Sequence, residues 1–287
     1  MKGWNCLITR GNNRGVPSVV ALASIVVGLL TTPPILSTCW GGEEAQEVSG
    51  KPITPEAPRS DLVVGERLSY HGRWFGLPVG HGWIEVTGRT ELEGRPVYQI
   101  QAFGTSNDVL SAFYPIRDTI RSYLDAETLQ PIRFEKDQQE GHYRAKEVVT
   151  FDHARSVATY HSLLNQSTKK IPLPADVQDL ISTFYWLRTH AVSLTEPTRL
   201  PIYSDEKVYQ VEIVPIKTLR LELLKRGTFP CVLIEPKANF KGVFVRRGRV
   251  WCYISTDARR IPLFIRLTTP WGPISGVIDA ESLAQSR

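Results

Sequence analysis

The sequence lacks the short motifs that mark common catalytic and cofactor sites. It has no G-x-S-x-G nucleophile elbow, no glycine-rich phosphate loop and no H-E-x-x-H metal motif. Its six histidines are dispersed, and the four cysteines are not accompanied by the paired Cys or His spacing that binds zinc. The sequence therefore predicts a non-catalytic protein without a metal or another cofactor. A hydrolase is the least favoured alternative.

Acidic residues are missing from the first 39 residues, and this explains the basic net charge. The 287-residue chain has 34 Lys and Arg against 29 Asp and Glu, for a formal net charge of +5. Lys2, Arg10 and Arg14 lie in the acid-free stretch, so the rest of the chain is nearly balanced. A basic footprint for nucleic acid is not supported. We expect no nucleic-acid partner.

The N-terminal segment also lacks an apolar run of ordinary membrane-spanning length. A basic region to Gly15 is followed by apolar residues 16–30 and then by TTPPILSTC. This order is typical of a secretory signal, and about 15 apolar residues are few for a transmembrane helix. Leu36-Ser37-Thr38-Cys39 resembles the lipobox of bacterial lipoproteins, which prefers Gly, Ala or Ser where Thr38 stands. We expect residues 1–39 to be a signal with Cys39 as the lipidation site. An uncleaved N-terminal anchor and a released protein are the alternatives.

Residues 40–60 are poor in apolar side chains. Their sequence, WGGEEAQEVSGKPITPEAPRS, is rich in Gly, Glu, Ser and Pro and cannot bury enough surface to fold. It predicts a flexible tether between a lipid anchor and a single folded domain at 61–287. Trp40 rather than Asp follows Cys39, and by resemblance to proteobacterial lipoproteins this favours the outer membrane and a periplasmic location.

Helical periodicity is scarce in the folded domain. Most of it consists of short runs in which polar and apolar residues alternate between turns, as in PVYQIQAFG at 96–104. We count roughly a dozen such runs, at spacings that favour one sheet over alternating α/β units. A sheet of this size must curl. The predicted fold is mainly β, a single curved, half-barrel-like antiparallel sheet.

One segment, 174–193, has clean helical periodicity. Asp176 precedes the apolar run and can cap the first free N–H groups. Apolar residues then recur three and four positions apart. They are Val177, Leu180, Ile181, Phe184, Leu187 and Ala191. We expect one long helix, Asp176–Ala191, across the concave face of the sheet.

The apolar stripe of this helix is the candidate binding surface. It would line a hollow between helix and sheet that suits an acyl chain or another lipid. The same residues could instead fill a core, and the protein would then be a structural or assembly factor of the envelope that acts through its surface. The candidate lining residues are Val177, Leu180, Ile181 and Phe184 on the helix and Trp74 and Trp83 on the sheet.

Two pairs of side chains are expected to be buried. Arg188 falls within the apolar stripe, so its guanidinium needs a partner, and Asp118 is the candidate carboxylate for a structural ion pair. Cys231 and Cys252 lie in neighbouring strand-like runs. They could form a disulfide in an oxidising compartment or remain two buried free thiols.

Two features are candidate surface contacts. Trp186 projects from the helix face opposite the stripe, where it is either covered by a loop or free to touch a ligand, a membrane or an envelope protein partner. The tip formed by Arg246, Arg247 and Arg249 is either solvated or in contact with anionic lipid.

Five segments, taken together and in this order, have the sequence of a known family. They are GERLSYHGRWFGLPVGHGWIEV, IRDTIRSYLD, IRFEKDQQEGHYR, VQDLISTFYWLR and WCYISTDARRIPLFIRLTTPWGPISGVI. The chain from about Asp61 to Leu283 thereby resembles the bacterial envelope family called domain of unknown function 3108. The resemblance implies no catalytic residues. The architecture of that family is similar to the periplasmic lipoprotein carriers and receptors of the Lol system, a curved antiparallel sheet around a helix-plugged apolar hollow, and such a likeness concerns fold rather than function.

Overall fold

The computed structural model describes residues 45–48, 53–190, 193, 196–238, 249–269 and 272–285. The three helices are α1 (Asp108–Ser111), α2 (Leu180–Thr189) and α3 (Ala280–Gln285). The first eight strands are β1 (Ala45–Val48), β2 (Arg67–Trp74), β3 (Leu77–Leu92), β4 (Arg95–Ser106), β5 (Arg117–Asp125), β6 (Pro131–Glu140), β7 (Tyr143–Asp152) and β8 (Val157–Ser162). The remaining strands are β9 (Thr168–Pro172), β10 (Thr198–Ser204), β11 (Lys207–Leu223), β12 (Gly227–Ala238), β13 (Arg249–Ser255), β14 (Pro262–Thr269) and β15 (Gly272–Ile278).

These strands form one open 15-stranded sheet in which the paired strands are antiparallel. The order is β1-β11-β12-β13-β14-β15-β2-β3-β4-β5-β6-β7-β8-β9, and β10 pairs with β11 beside β1. From β2 to β9 each strand pairs with the next one in sequence, which is a meander. The prediction of a mainly β protein built on a single antiparallel sheet is confirmed, with more strands than the roughly dozen expected.

Tight turns between alternating strands explain this meander. The β2–β3 turn has positive φ at Phe75 and Gly76, and the β3–β4 turn has it at Glu93 and Gly94. Two consecutive residues with positive φ match the right-handed twist of the flanking strands. Each hairpin therefore forms from local sequence, and its register follows from the turn.

The segment expected to be a free tether is partly ordered on the sheet. Strand β1 pairs with the C-terminal end of β11, and Tyr253 donates a hydrogen bond to Glu47 at 3.0 Å. Glu56 donates its backbone N–H to Thr256 O at 2.8 Å. The prediction of a flexible 40–60 is wrong for these residues, because a sheet edge offers backbone hydrogen bonds to a segment that has few apolar groups. The expected signal at 1–39 lies outside the described residues.

The long helix begins later than its periodicity suggests. Asp179 is the N-cap, since its Oδ1 accepts the Ser182 N–H at 2.6 Å while the Ser182 Oγ accepts the Asp179 N–H at 2.7 Å. Asp176 has a φ of 57°, and Gln178 forms a parallel bridge to Ile202 on β10. The predicted cap at Asp176 is wrong because the preceding backbone pairs with a strand instead. Ala191, the predicted end, lies outside the described residues.

Two clusters of buried side chains meet at α2. Ile181 and Tyr185 belong to the larger cluster, while Leu180, Trp186 and Leu187 pack against the smaller one. The larger cluster includes Leu68, Val86, Ile100 and Leu124 from β2–β5, and the smaller includes Ile202, Ile213, Ile234 and Cys252 from β10–β13.

Among the described residues, none of the helices has the length and hydropathy needed to cross a membrane.

Candidate functional site: an apolar cavity over a glycine face

On one face of the sheet, three neighbouring strands have large side chains at one end and glycines at the other. Alternate residues share a face, so each strand can be followed from its packed end to its glycine end. The series are Leu68, Tyr70 and Gly72 on β2, Val86, Ile84, Gly82 and Gly80 on β3, and Ile100, Ala102 and Gly104 on β4.

Strand register brings these glycines together. Gly72 pairs with Gly80 on one side and with Gly276 of β15 on the other, and Gly82 pairs with Gly104. We call the surface formed by Gly72, Gly80, Gly82, Gly104 and Gly276 the glycine face.

A cavity of about 270 Å³ lies over the glycine face. Its walls are mostly aliphatic and aromatic, which makes it a site for an apolar group. The wall residues include Tyr70, Ile84, Ala102, Leu110, Ile116, Ile120, Phe184, Ile265, Leu267 and Ile274.

The glycines have two different physical roles. A Cβ added at Gly80 or Gly82 would lie 2.2 or 2.7 Å from a backbone carbonyl oxygen of β4, so glycine there permits close approach of the strands. A Cβ at Gly104 or Gly276 would have no heavy atom within 4 Å, and neither residue has a positive φ. The backbone thus does not require glycine at these two positions. Because glycine has no side chain, open space remains above the backbone at both positions.

The helix contributes less to this cavity than the sequence suggested. Phe184 borders it, but Val177 and Ile181 are buried in the larger cluster and Leu180 packs against the smaller one. The helical stripe is therefore mainly filled core. The open space lies beyond Phe184, toward the glycine ends of the strands.

The two predicted sheet tryptophans also differ in position. Trp83 is among the residues that border the cavity, but it pairs with Phe103 on the opposite face, and its ring lies 4.0 Å under the Arg67 guanidinium. Trp74 packs beside the wall residues Leu267 and Ile274. Trp74 also pairs with Ile274, two positions from the pair of Gly72 with Gly276, so it lies on the face of the glycines, beyond the residues that border the cavity.

Arg188 is buried as predicted but with a different partner. Its two terminal nitrogens donate to the Glu66 carboxylate at 2.6 and 2.7 Å, and its Nε donates to Arg259 O at 3.1 Å. The predicted Arg188–Asp118 pair is wrong, since Asp118 lies on β5 at the glycine face. Glu66 precedes β2 and is 122 positions from Arg188, a separation that sequence spacing cannot connect.

Acidic groups lie at the β5–β6 end of the cavity. Asp118 lines the cavity, and its Oδ1 accepts the backbone N–H of Gln139 at 2.9 Å. Burial and the nearby charge of Asp118 raise the pKa of Glu140 to about 8. Burial likewise raises the pKa of Asp118. Glu140 therefore carries a proton over much of the neutral range, beside a carboxylate that accepts hydrogen bonds.

A buried lysine next to this pair is already neutralised. Lys136 Nζ lies 3.0 Å from Glu147 and 3.2 Å from Asp205. Burial alone would lower the pKa of Lys136, but the charges of the two carboxylates more than offset it and raise the pKa. Its positive charge is thus committed to these partners rather than to a ligand.

The two cysteines of the folded domain lie on opposite faces of the sheet. Cys252 pairs with Ile234 and so lies on the other face of the sheet from Cys231, three residues before Ile234. Both are buried free thiols, which contradicts the disulfide, and burial raises the pKa of each to about 12.

Of the predicted surface contacts, Trp186 and Arg249 lie within the described residues. Trp186 is half-buried, packs against the smaller cluster and stacks on His190 with ring centres 4.5 Å apart. Arg249 binds Glu235 through two hydrogen bonds of 2.6 and 2.9 Å. Cys39, Arg246 and Arg247 lie outside the described residues, so their predicted roles stay predictions.

Sequence reasoning missed the glycine face although a signal was present. Gly80-His81-Gly82 and Gly104 occur inside strand-like runs rather than at turns, and glycine within a strand often marks close approach of a ligand or backbone. In the described part of the chain, His, Cys, Asp and Glu do not form a group of three or more that could hold a metal ion.

Comparison with known proteins supports the fold and gives the family. No curated protein matches the sequence significantly. A solved structure described as a beta-barrel-like protein of domain of unknown function DUF1849 from Brucella abortus has a TM-score of 0.54 at 10 % identity, covering 78 % of this chain and 98 % of that one. The expected likeness to the Lol proteins stays a prediction. The family described as "Protein of unknown function (DUF3108)" matches residues 68–279, and the chain belongs to that family.

Proposed function

We propose that the protein is a non-catalytic carrier that binds an apolar ligand, such as an acyl chain or another lipid, in the cavity over the glycine face. The observation that carries this proposal is the open space at Gly104 and Gly276. A strand gains stability from a side chain that packs, and glycine in its interior costs free energy. Two unforced glycines that face a cavity are therefore better explained by a ligand than by stability.

The size of the cavity limits what can be bound. Its volume of about 270 Å³ is near the lower end of ligand pockets, which start at about 300 Å³. We therefore propose that it takes part of a single chain rather than a whole phospholipid.

Exposed apolar side chains mark the proposed point of access. Phe75 and Leu77 at the β2–β3 turn, Val109 in α1 and Phe113 just after α1 are each more than half exposed. Asn107 joins the two segments, donating to Pro78 O at 2.7 Å and to Val79 O at 2.8 Å. Since Val79 and Leu110 border the cavity, a ligand would enter between these exposed groups.

The remaining parts of the chain fit an envelope carrier. We take α2 to lie across the concave side of the sheet and to close the cavity at Phe184. We take the N-terminal segment to export the protein and to attach it through Cys39 to the periplasmic side of a membrane, with the outer membrane favoured.

The proposal can be tested by filling the cavity. Gly104→Leu should reduce binding of the uncharged fluorophore N-phenyl-1-naphthylamine at least about tenfold, because its side chain would occupy the space over the glycine face. Gly88→Leu is the matched control: a Cβ at Gly88 also meets open space, but Gly88 does not border the cavity. Binding would be measured by fluorescence titration. Native mass spectrometry of the full chain would show any lipid that co-purifies with it.

Equal binding by the parent protein, Gly104→Leu and Gly88→Leu would contradict the carrier. The alternative is a structural or assembly factor, and the observation that favours it is the dense packing around α2, where Val177 and Tyr185 are fully buried. A protein that binds neither the fluorophore nor a co-purified lipid would support that alternative.

A further inference from the structure

Turns at one end of the sheet expose large apolar side chains. Because neighbouring strands of the meander are antiparallel, the β2–β3, β4–β5 and β8–β9 connections lie at the same end. Their apolar residues with more than a third of the surface exposed are Phe75, Leu77, Val109, Phe113, Leu163 and Leu164. We call this surface the apolar rim. Phe75 and Phe113 are also the exposed aromatic residues of the described part of the chain.

The opposite end of the sheet is different in character. Its β3–β4, β5–β6 and β7–β8 turns expose Glu93, Glu127 and Arg155. The exposed apolar residues near it are aliphatic, at 63–64 and Leu224. The two ends therefore differ in polarity, as expected when only one of them faces an apolar partner.

The most exposed residues of the apolar rim are not needed for core packing. Val109 and Phe113 are 73 % and 83 % exposed and belong to none of the buried clusters of the described residues, whereas Leu110 between them is buried. The loop is fixed in this orientation, since Asn107 accepts the Leu110 N–H at 2.9 Å and donates to Pro78 O at 2.7 Å. Large apolar groups held outward on a fixed loop indicate an interaction surface.

The spread of the apolar rim favours a flat partner. The β2–β3 and β8–β9 turns are six strand spacings apart, or about 29 Å along the sheet. A bound peptide or a small ligand would contact neighbouring turns, whereas the surface of a lipid bilayer can contact all three.

The charges beside the apolar rim favour an anionic partner. Arg117 begins β5 and Arg144 is the second residue of β7, and both are exposed. Arg144 donates to the carbonyls of Gly141 and Tyr143, each at 2.7 Å, rather than to a carboxylate. Asp108 of α1 offsets one of these two positive charges. Basic groups at such a surface are attracted to anionic lipids.

We propose that the apolar rim docks the domain on an anionic lipid bilayer, with its phenylalanine, valine and leucine side chains among the lipid headgroups. This contact is separate from the proposed attachment through Cys39. It goes beyond the proposed carrier function, because it does not depend on what the cavity binds. It places the mouth of the cavity, between the β2–β3 turn and α1, against the membrane.

Hydrogen–deuterium exchange of the full chain tests the docking at the apolar rim itself. Vesicles of phosphatidylcholine with about one-third phosphatidylglycerol should slow exchange in residues 73–78, 107–114 and 163–167 at least about threefold. Exchange in the opposite turns, at 92–95 and 126–129, should not change. The readout is local, so attachment of the vesicles to the N-terminal segment does not produce it.

Two matched variants assign the contact to the apolar rim. Val109→Ser/Phe113→Ser removes its two most exposed side chains and should abolish the slowing at 163–167, a turn that these substitutions do not alter. Val64→Ser/Leu224→Ser makes a comparable change near the opposite end and should keep the slowing. Exchange in β4 that equals that of the parent protein shows that a variant is folded. If a variant is not folded, the measurement on the parent protein decides the matter.

Slowing at both ends, or at neither, would overturn the inference, and so would slowing at 163–167 that survives in Val109→Ser/Phe113→Ser. Slowing without vesicles, at rising protein concentration, would assign the apolar rim to a second copy of the chain and overturn the bilayer. Equal slowing by vesicles of phosphatidylcholine alone would overturn the preference for anionic lipid. None of these outcomes changes binding of the fluorophore by the cavity, so the carrier function is tested separately.

Discussion

At the scale of single residues, the interior of this sheet contains an unusual set of buried polar groups. On β6 the inward positions change from Ile132 and Phe134 to Lys136, Gln138 and Glu140, all of them buried. Gln138 donates to Glu140 at 2.7 Å, and Lys136 is held by two carboxylates. Partnered polar groups can be kept in a protein interior, whereas unpartnered ones are costly. The inward side of β6 is therefore apolar at Ile132 and Phe134 and hydrogen-bonded at Lys136, Gln138 and Glu140.

The raised pKa of Glu140 predicts how stability depends on pH. Its pKa is 4.5 in the unfolded chain and about 8 in the fold, so between these values the folded state binds more protons. The free energy of unfolding must then decrease as the pH rises through this window. Between pH 5 and pH 8.5, we expect the free energy of unfolding to fall by roughly 2–4 kcal/mol more in the parent protein than in Glu140→Gln. Urea denaturation at each pH measures this difference.

Glu135→Gln is the control for this measurement, since Glu135 is on the same strand and binds Arg133 on the opposite face. It should keep the slope of the parent protein. Parallel pH profiles for the parent and Glu140→Gln would show that Glu140 is not the group that titrates. Asp118 and Glu147, whose pKa values are raised by burial, leave some slope in every variant.

At the scale of elements, α2 is held at its start by a buried hydrogen-bond network. Asp179 accepts from the Ser182 N–H, and its Oδ2 accepts the Ser122 hydroxyl of β5 at 2.6 Å. The three residues are at most 1 % exposed. This network joins the helix cap to the sheet, so it sets where the helix begins and how it lies on β5.

The cap predicts a contrast between two aspartates. Asp179→Ala should destabilise the protein by about 2–4 kcal/mol, because it removes the N-cap and leaves the buried Ser122 hydroxyl without its acceptor. Asp176→Asn should change stability by less than ~0.5 kcal/mol, since Asn also tolerates positive φ and Asp176 is exposed. Chemical denaturation followed by circular dichroism measures both. A large loss at Asp176 and none at Asp179 would restore the cap that the sequence suggested.

At the scale of the whole molecule, Arg188 joins three distant segments. It binds Glu66 before β2 and the carbonyl of Arg259 between β13 and β14. Its guanidinium also lies 5.3 Å from the ring centre of Tyr185. One side chain thus fixes α2 against both the start and the end of the domain.

Breaking this connection should cost far more than breaking a surface pair. Arg188→Met should lower the free energy of unfolding by about 3–5 kcal/mol, because Glu66 is left buried and unpaired. The double variant Glu66→Leu/Arg188→Met should recover most of that loss. Arg199→Met, which breaks an exposed pair with Glu212, should cost less than ~1 kcal/mol. Equal losses for Arg188→Met and Arg199→Met would refute the buried connection.

The sequence by itself determined the local features of this protein. Alternation in runs such as 96–104 predicted antiparallel strands separated by turns, because both features depend on neighbours in the chain. The position of Arg188 within an apolar stripe required a buried partner. Roughly a dozen strands, one helix within 174–193 and the burial of Arg188 follow from these local rules.

Only the tertiary structure decided which distant groups meet. Glu66 rather than Asp118 binds Arg188, β10 takes up the backbone that would have started the helix, and the sheet edge orders residues 45–48. The cavity depends on the register that aligns the glycines of β2, β3, β4 and β15. A shift by one residue would turn these glycines to the other face. Strand register and long-range pairing depend on contacts between segments that are far apart in the chain. Neither can be predicted from one segment alone.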